Sequence, residues 1–389
     1  MDSIWFLSPD MIVLALFFVF SIAFLAHSGS FSSFTRALIQ GNLTRHDGPF
    51  SLRKAVSSYE NYRKLSMNES SRMRASSSSI LRSQRRLVHQ LGYSQKLDAL
   101  DASIRANAVI TDEIARLAHK DHPAFFAQRG HAMAGDVGRV REALKHFVRD
   151  WSEEGKEERE TMFSHILEVL RRVPEGARRE QKVLVPGAGL GRLAWEISQL
   201  GFDTTANELS YYMILALRFL LSPSATNRVN QHTLQPYSHW FSHQRSNSAL
   251  FRRIAFPDAL PRVSPSFHLL EEDFLLLDPA ARTYDCIVTL FFIDTSLNVI
   301  STIEHIHALL RAGGTWINLG PLLWTAGAQA RVELSLEEVV RVAESVGFTL
   351  EEMGGGERTR EVRCEYTADR QAMMEWVYKA QFWVARKGA

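Results

Sequence analysis

From Lys182 to the end of the chain, short apolar runs alternate with segments in which apolar positions recur every three or four residues. The apolar runs are KVLVPG, FDTTANE, SFHLLEEDF, TYDCIVTLFFID and TWINLGPL, and they predict strands; RLAWEISQLG, SYYMILALRFLL and NVISTIEHIHALLRAGG predict helices. Strand–helix alternation of this kind is typical of a parallel, doubly wound α/β sheet. Near the end, EEVVRVAESVGFTLEEM and QFWVARKG predict one more helix and two more strands.

The chain before Lys182 has a helical pattern. In LRKAVSSYENYRKLS, SSSILRSQRRLVHQLGY and LDALDASIRANAVITDEIARLA, apolar positions recur at helical spacing among Arg, Lys and Glu. We interpret residues 51–135 as a helical block, with a helix junction at Ser76–Ser79. The helix pair GRVREALKHFVRDWSEEGKEERETMFSHILEVLRRV then opens a second domain over residues 136–389, and residues 31–50, rich in Ser, Gly, Thr and Asn, predict a linker.

An almost wholly apolar stretch lies near the N-terminus. MIVLALFFVFSIAFLA, from Met11 to Ala26, is uncharged, but it reaches the ~20 residues that a membrane helix needs only if IWFL upstream is added. Asp2 and Asp10 precede it and Arg36 follows, which fits a membrane anchor with a cytosolic protein body better than a cleaved signal peptide. We interpret residues 1–30 as an apolar leader that tethers the chain to a membrane; a buried helix or an incorrectly assigned gene start are the alternatives.

Composition excludes several classes of protein. The 389 residues carry a formal net charge of +2, which argues against a nucleic-acid binder held by bulk charge. Cys286 and Cys364 are too few for a disulfide framework or a cysteine-rich metal site, so we expect a reducing compartment and no metal. The length allows one large domain with an appendage, or two domains.

Three glycines follow the first predicted strand. Gly187, Gly189 and Gly191 form G-x-G-x-G before a helix, where glycine permits a tight turn and lets a ligand approach the backbone. Glu208 ends the next predicted strand, and an ionised carboxylate there can accept hydrogen bonds from both hydroxyls of a ribose. The alternative for Glu208 is a solvated acid near a helix N-cap. The pattern predicts a site for NAD or for S-adenosylmethionine.

Three later features favour S-adenosylmethionine. Asp273 and Phe274 end EEDF after the third strand, where an acid can hold an adenine amino group and an aromatic ring can cover the base. Gly313 and Gly314, in LLRAGGTWI, join a long helix to a strand, as is widespread in class I methyltransferases. FTLEEM and QFWVARKG resemble the antiparallel strand insertion of that fold. We predict an α/β protein with a doubly wound, Rossmann-like class I methyltransferase sheet and an N-terminal helical domain.

Longer strings narrow the prediction to a family. The strings VLVPGAGLGRLAWEISQLGF, NELSYYM, FFIDTSLNVI, GGTWINLGPLLW and FVRDWSEEGKEER closely resemble the carnosine N-methyltransferase family, over residues 51–387. Trp240, Phe241, Arg245 and Ser246 are similar to a family insertion over the active site, here residues 224–262. The resemblance implies transfer of a methyl group from S-adenosylmethionine to an imidazole nitrogen of carnosine, the dipeptide β-alanyl-histidine, giving anserine.

The resemblance also implies roles for single residues. Arg149, in LKHFVRDW, matches an arginine that clamps the methionine carboxylate of the cofactor, a role for which a guanidinium fork is suited. His146 stands where the family has a glutamine in the same cofactor site. The other positions that we assign to cofactor binding are Gly187, Gly189, Gly191, Glu208, Asp273, Phe274 and Leu290.

Two further positions bear on the substrate. Tyr378, in MMEWVYKAQF, matches a tyrosine that contacts the dipeptide, although an aromatic residue in the core would look the same. After GPLL and an aromatic residue the family carries a substrate-contacting histidine, and this chain has Thr325 there, after Trp324. An imidazole acceptor is therefore better supported than carnosine itself.

Asp294, in FFIDT, is our candidate catalytic residue and also a substrate-binding one. It follows the fourth strand at the carboxyl edge of the sheet, where doubly wound folds place ligands. Imidazole has a pKa of ~6.5 and is mostly neutral at pH 7, so no strong base is needed. An aspartate can accept one ring N–H, aim the other nitrogen at the methyl group and stabilise the imidazolium that forms. The alternative is an N-cap of the helix beginning near Asn298.

Other functions stay open. A histidine N-methyltransferase acting on another peptide or protein needs an open groove, whereas a dipeptide pocket should be deep and closed by the 224–262 insertion. A non-enzymatic, membrane-tethered scaffold would have no need of all these glycines and acids. As partners we expect a small His-containing dipeptide, no nucleic acid, a membrane through residues 11–26, and a second copy through the helical block. We expect a cytoplasmic protein, also nuclear, that is membrane-anchored if the leader is retained.

Overall fold

The computed structural model describes residues 48–127, 135–325 and 327–388. The apolar leader and most of the linker therefore lie outside the described residues. The helical region contains α1 (Leu52–Ser78), α2 (Arg82–Gln90), α3 (Tyr93–Asp121), α4 (Pro123–Ala127), α5 (Val137–Trp151), α6 (Lys156–Arg171) and α7 (Glu175–Arg178). Among the described helices, none combines the length and the apolar composition needed to cross a membrane.

The α/β region follows α7. It begins with β1 (Lys182–Pro186), α8 (Arg192–Gln199), β2 (Asp203–Asn207), α9 (Tyr211–Leu221), β3 (His232–Leu234), α10 (Asn247–Leu250), β4 (Ile254–Phe256) and β5 (Phe267–Leu270). It continues with β6 (Tyr284–Leu290), α11 (Val299–Leu309), β7 (Leu310–Gly320), α12 (Leu336–Val346), β8 (Phe348–Leu350), β9 (Arg360–Cys364) and β10 (Tyr378–Lys387). Short 3₁₀ helices lie at Phe274–Leu276, Ile293–Thr295 and Gly327–Gln329.

One mixed sheet organises this region. Its strands follow the order β5–β2–β1–β6–β7–β10–β8, and β9 pairs with β10 beside this path. The pairs from β5 to β7 are parallel, whereas β10 is antiparallel to β7, β8 and β9. A late antiparallel strand inserted between two parallel ones confirms the predicted doubly wound class I methyltransferase sheet. Strand β9 has no counterpart among the predicted strands, because REVRC is too charged to be recognised from its pattern.

The sheet is buried on both faces, which explains the continuous apolar runs in its central strands. Val183 and Val185 of β1 pack into a core with Phe163 of α6, whereas Leu184 between them packs into a second core with Ile303 of α11. Successive side chains of a strand point to opposite faces, so a doubly covered strand must be apolar at every position. The run KVLVP meets this requirement.

One predicted boundary is wrong. We expected the helix after the fourth strand to end at Gly313 and Gly314, but α11 ends at Leu309 and β7 begins at Leu310. The two glycines instead lie opposite a register shift between Tyr284 and Cys286 of β6. Gly313 has a φ of 72°, so the glycine pair forms an irregular strand start rather than a helix end.

The helical block and the α/β region share a third core. Tyr59 of α1 and Ile104 of α3 belong to the same buried cluster as Phe147 of α5 and Phe219 of α9. The Tyr59 hydroxyl also donates a hydrogen bond of 2.6 Å to the Tyr212 carbonyl. The block is therefore joined to the sheet by buried apolar surface, and the boundary at residues 135 and 136 stays a prediction.

Candidate active site

The glycine-rich turn between β1 and α8 has a backbone that glycine adopts most readily. Gly187, Gly189 and Gly191 have φ values of 63°, 57° and 72°. A Cβ at Gly187 would lie 2.6 Å from the Phe292 ring, and a Cβ at Gly191 would lie 3.1 Å from Leu217. Apart from Gly189 itself and its two neighbours in the chain, no atom of the described residues lies within 4 Å of the Cβ position at Gly189. The turn is thus packed at both ends and open at its middle.

Glu208 directly follows β2 and faces this turn. Its Oε2 accepts the N–H of Gly189 at 2.9 Å, and its Oε1 accepts those of Leu209 and Ser210 at 2.9 and 2.8 Å. Burial raises the pKa of Glu208, and the three N–H donors oppose the rise. With 9% of its surface exposed, Glu208 is not the solvated acid of the alternative interpretation. Its Oε2 retains capacity for one more donor.

Asp273 and Phe274 follow β5 at the same edge. Asp273 is half-buried, its Oδ1 accepts the N–H of Leu275 at 3.0 Å, and burial raises its pKa. The Phe274 ring is buried, and its centroid lies 5.3 Å from that of Phe292 and 5.0 Å from that of His305. The Phe274 ring therefore packs mainly in the core beneath this edge of the sheet. That it also covers an adenine ring remains a prediction.

Helix α5 contributes His146 and Arg149, which lie one turn apart on the same face. Both side chains are buried, and His146 Nδ1 lies 3.4 Å from Nη1 of Arg149. The Arg149 Nε lies 3.5 Å from an oxygen of Asp150 and 3.6 Å from one of Glu158, within ion-pair range. It nevertheless has no hydrogen-bond partner among the described residues. A buried guanidinium with an unused donor is suited to a carboxylate ligand.

Tyr366 was missed by sequence reasoning and lies between these groups. Its ring centroid is 4.3 Å from the guanidinium carbon of Arg149 and 4.6 Å from the centroid of the Phe291 ring, which is stacked at 28°. The His146 ring meets Tyr366 edge-on at 5.6 Å. Burial raises the pKa of the Tyr366 hydroxyl to about 12, so the phenol stays neutral at physiological pH.

The loop that carries Tyr366 is fixed by a buried carboxylate. Glu158 accepts the N–H of Thr367 at 2.7 Å and that of Ala368 at 3.2 Å. An aromatic residue just after the charged strand β9 has no sequence signal that separates a site residue from a core residue. Tyr366 can be recognised as a site residue only from the folded structure, in which Glu158 of α6 holds this loop beside Arg149.

Asp294 lies in the 3₁₀ helix after β6 and is 3% exposed. Its Oδ2 accepts the N–H of Leu323 at 3.1 Å. Burial raises its pKa to about 6, and that hydrogen bond opposes the rise. The alternative role as an N-cap is wrong, because Asn298 caps α11 with its own side chain.

Tyr378 and Thr325 are both near Asp294. Burial raises the pKa of Tyr378 and the Asp294 charge raises it further, so the two groups are within electrostatic range. The Tyr378 ring meets Phe291 edge-on at 5.4 Å. Thr325 is exposed, and its N–H and hydroxyl donate to the Asp294 carbonyl at 3.0 and 3.4 Å. Its side chain therefore supports the Asp294 backbone. Leu290 is half-buried at the end of β6.

The insertion at residues 224–262 contacts the loop between β9 and β10, the loop that also carries Tyr366. Arg245 Nε donates to the Ala372 carbonyl at 3.3 Å, and the Ser246 hydroxyl caps α10. Trp240 is 51% exposed, whereas Phe241 packs against the shared core. The insertion thus contacts the loop that leads to Tyr378 at the start of β10, and we call these two segments the rim.

Comparison with known proteins identifies the family. The family model for carnosine N-methyltransferase matches residues 126–389. The chain belongs to the carnosine N-methyltransferase family. It is 38% identical over 261 residues to the carnosine N-methyltransferase of Mus musculus, covering 65% of this chain and 64% of that protein. It is 33% identical over 318 residues to the carnosine N-methyltransferase of Schizosaccharomyces pombe, covering 76% of this chain and 83% of that protein.

A solved structure has a more distant similarity. Magnesium protoporphyrin IX methyltransferase of Synechocystis PCC 6803 is 13% identical, with a TM-score of 0.38, and the match covers 65% of this chain and 95% of that one. That similarity is too low to support a conclusion. The match to the carnosine N-methyltransferase family model spans every predicted site residue, from His146 to Tyr378. Within the described parts of this family member, no group of three His, Cys, Asp or Glu side chains is arranged to hold a metal ion.

Proposed function

We propose that the protein transfers a methyl group from S-adenosylmethionine to an imidazole nitrogen of the histidine moiety of carnosine, giving anserine. The observation that carries the proposal is the buried Asp294 carboxyl group within electrostatic range of Tyr378. Gly187 of the glycine-rich turn packs against Phe292, two residues before Asp294. Relatives named carnosine N-methyltransferase in mouse and fission yeast support the same reaction.

The residues around the glycine turn fit S-adenosylmethionine. The free acceptor capacity of Glu208 suits ribose hydroxyls, and the open space at Gly189 allows a ligand to approach the backbone. The unused Nε–H of Arg149 suits the methionine carboxylate, with His146 beside it. Asp273 suits the adenine amino group. When bound, S-adenosylmethionine supplies a sulfonium methyl group that a nitrogen lone pair can attack.

Asp294 would orient the imidazole ring. With a pKa of about 6 its carboxyl group is mostly ionised at pH 7, and an ionised carboxylate accepts the N–H of one ring nitrogen. The lone pair of the other nitrogen then points away from Asp294 and forms the new C–N bond as the methyl–sulfur bond breaks. The ring becomes cationic, and Asp294 stabilises this charge, accepts the remaining N–H proton and releases it to water.

Three aromatic rings would complete the pocket. Phe291 contacts both Tyr366 and Tyr378, so the rings form a continuous wall from Arg149 towards Asp294. Such a wall excludes water from the transfer path. Aromatic faces also attract a cation, which favours the imidazolium that forms over the neutral ring that binds.

A turnover assay tests the proposal. The full chain is incubated with S-adenosylmethionine and carnosine, homocarnosine or free histidine, and methylated products are identified by mass. We expect methylation of carnosine on its ring. Asp294→Ala should lower turnover at least about a hundredfold while binding of S-adenosylmethionine survives. The exposed Asp278→Ala serves as the matched control, and near-normal turnover of Asp294→Ala would contradict the assignment.

Larger histidine-containing peptides are a second candidate substrate. The rim near Tyr378 leaves Trp240, Met373 and Trp376 exposed, which a deep dipeptide pocket would not require. If longer peptides bind there, Trp376→Ala should raise the KM for a histidine peptide and leave the KM for carnosine unchanged. Equal effects on both substrates would favour the dipeptide alone.

The cellular location, membrane attachment and oligomeric state of the protein are also proposals. We place the catalytic region in the cytoplasm and also in the nucleus, with residues 11–26 as a membrane tether if the apolar leader is retained. A homodimer through the helical block follows from the family resemblance. Cell fractionation with and without the first 30 residues tests the tether, and sedimentation velocity tests the dimer.

A further inference from the structure

Helix α2 stands outside the packing of the helical block. None of its residues is buried, whereas the longer helices α1 and α3 on either side each bury many. Leu81, Leu87 and Leu91 are 69%, 59% and 82% exposed. The helix is nevertheless defined at both ends. The Gln84 side chain accepts the Leu81 N–H at 3.3 Å, and Gly92, with a φ of 74°, turns the chain into α3.

The exposed side chains of α2 are sorted by chemistry. At 3.6 residues per turn, the four apolar residues of α2 and its two cap positions fall within about a third of the helix circumference. These are Leu81, Leu87, Val88 and Leu91. The three arginines of α2, Arg82, Arg85 and Arg86, lie together on the other side of the helix, centred about 150° from the apolar residues, with Arg85 the nearest to them. Because α2 buries no side chain in the described fold, packing within the protein does not explain why its apolar and basic side chains lie on different faces.

The charge around α2 is one-sided. Residues 72–96 contain six Lys or Arg residues and no Asp or Glu, although the whole chain carries a net charge of only +2. Of the six, Arg74 is ion-paired with Asp98 and Asp101, which follow in α3. No ion pair of the described residues involves Arg82, Arg85 or Arg86. Arg85 donates one long hydrogen bond, 3.5 Å, to the Ser78 carbonyl. The arginines of α2 are thus available to an anionic partner.

We propose that α2 is a docking helix for an anionic lipid surface. The leucines of α2 and of its two caps would enter the boundary between headgroups and acyl chains. Arg85, at the side of the helix, would reach the lipid phosphates, and Arg82 and Arg86 on the polar face would add attraction to the anionic surface. This occupant uses both faces of the helix at once. An RNA would pair with the arginines and leave the leucines in water, and a symmetric second copy packed on the leucines would leave the arginines without an anionic partner.

The contact would orient the protein rather than anchor it. A short amphipathic helix binds membranes reversibly, and its binding depends on both apolar burial and anionic lipid. The proposal depends neither on the apolar leader nor on the proposed methyl transfer. Because α2 buries none of its side chains, substitutions on it should leave the fold and the turnover of the protein intact.

Vesicle co-sedimentation of the full chain tests the proposal. One set of vesicles is phosphatidylcholine alone, and the other contains roughly a third phosphatidylserine. The apolar variant is Leu87→Ser with Leu91→Ser, and the charge variant is Arg82→Gln with Arg86→Gln. Val229→Ser with Val263→Ser removes exposed apolar side chains elsewhere and serves as the matched control. Circular dichroism confirms that each variant is folded.

We expect the full chain to prefer the anionic vesicles and to lose this preference as salt rises. Either α2 variant should weaken anionic-vesicle binding at least tenfold, while the valine control binds like the wild type. Equal binding of wild type and both α2 variants would overturn the proposal. So would a serine variant that becomes monomeric without losing vesicle binding, or an RNA affinity that needs the arginines but not the leucines.

Discussion

Replacing Asp294 by asparagine should remove activity and increase stability at the same time. The carboxyl group is 3% exposed and, among the described residues, is stabilised only by backbone N–H groups, those of Leu323 and of Asp294 itself, so the charge that it carries at neutral pH is only partly compensated. Asparagine has the same shape and an oxygen that can still accept the hydrogen bond from Leu323. It cannot carry the negative charge that steers and stabilises an imidazolium.

The size of the stability effect follows from the pKa of Asp294, which burial raises from 3.8 to about 6. The folded chain therefore holds this proton more tightly than the unfolded chain does. Stability from the group is fully present below pH ~4 and is lost as the pH rises through ~6. At pH 8 the ionised group costs on the order of 3 kcal/mol, since each pKa unit corresponds to about 1.36 kcal/mol. At pH 5 the cost is about half of that.

Urea unfolding, followed by tryptophan fluorescence, measures this difference directly. We expect Asp294→Asn to raise the free energy of unfolding at pH 8, to raise it less at pH 5, and to have almost no effect near pH 4. The same protein should turn over carnosine at least about a hundredfold more slowly at pH 8. Titration calorimetry should show unchanged binding of S-adenosylmethionine.

A matched control separates the buried charge from a general effect of asparagine. Asp278 is exposed and lies outside the candidate site, so Asp278→Asn should leave turnover unchanged, and it shows the effect of an aspartate-to-asparagine change at the surface. The reasoning is refuted if Asp294→Asn is less stable than the wild type at pH 8, or if its gain in stability does not depend on pH. Near-normal turnover of Asp294→Asn would separately remove the catalytic role.

Three further predictions concern the cofactor side of the site. Gly191→Ala should lower the free energy of unfolding by about 1–3 kcal/mol in urea, because its φ is 72° and a Cβ would meet Leu217 at 3.1 Å. Arg149→Lys should weaken S-adenosylmethionine binding at least tenfold by calorimetry, since an ammonium cannot reproduce a guanidinium fork; unchanged affinity would exclude a carboxylate clamp. Tyr366→Ala should raise the KM for both substrates through loss of the wall against Phe291, whereas Tyr366→Phe should retain most activity, and equal losses in the two variants would exclude a packing role.

The sheet could be predicted because its determinants are local. A strand covered on both faces must be apolar throughout, and KVLVP is readable as such without knowledge of its neighbours. The glycine spacing at Gly187, Gly189 and Gly191 likewise reflects a backbone requirement of the turn itself. Strand β9 was not predicted, because its charged residues reflect an edge position that only the completed sheet defines.

The site could be predicted only in part because its properties arise from tertiary contacts. That Asp294 follows a strand is visible in the sequence, but its raised pKa depends on burial by segments that are distant in the chain. The Nε–H of Arg149 is buried beside Glu158 of α6 without a hydrogen-bond partner among the described residues. The position of Tyr366 depends on a loop whose backbone N–H groups are bound by the same glutamate. Thr325 illustrates the same limit, since its hydroxyl is engaged by the Asp294 backbone.

A buried polar network connects the helical block to the rim of the site. Asn107 of α3 exchanges two hydrogen bonds with the backbone of Gln235, at 3.0 and 2.8 Å, and also donates to the Tyr62 hydroxyl at 3.2 Å. The Tyr62 hydroxyl bonds to His239 at 3.0 Å, and burial lowers the His239 pKa to about 3, so this imidazole stays neutral. Residues 235–239 of the insertion are therefore positioned by α1 and α3.

The same insertion reaches the loop that carries Tyr366. The Tyr237 hydroxyl donates to the Ala368 carbonyl at 2.9 Å, and Gln244 forms a backbone bridge to Ala372. The helical block thus holds the insertion, and the insertion holds the loop whose tyrosine stacks against the Arg149 guanidinium. If the block were removed, the shared core would be exposed and this loop would lose its support. A chain reduced to residues 136–389 should consequently lose cofactor binding as well as stability, even though it retains all of the predicted site residues.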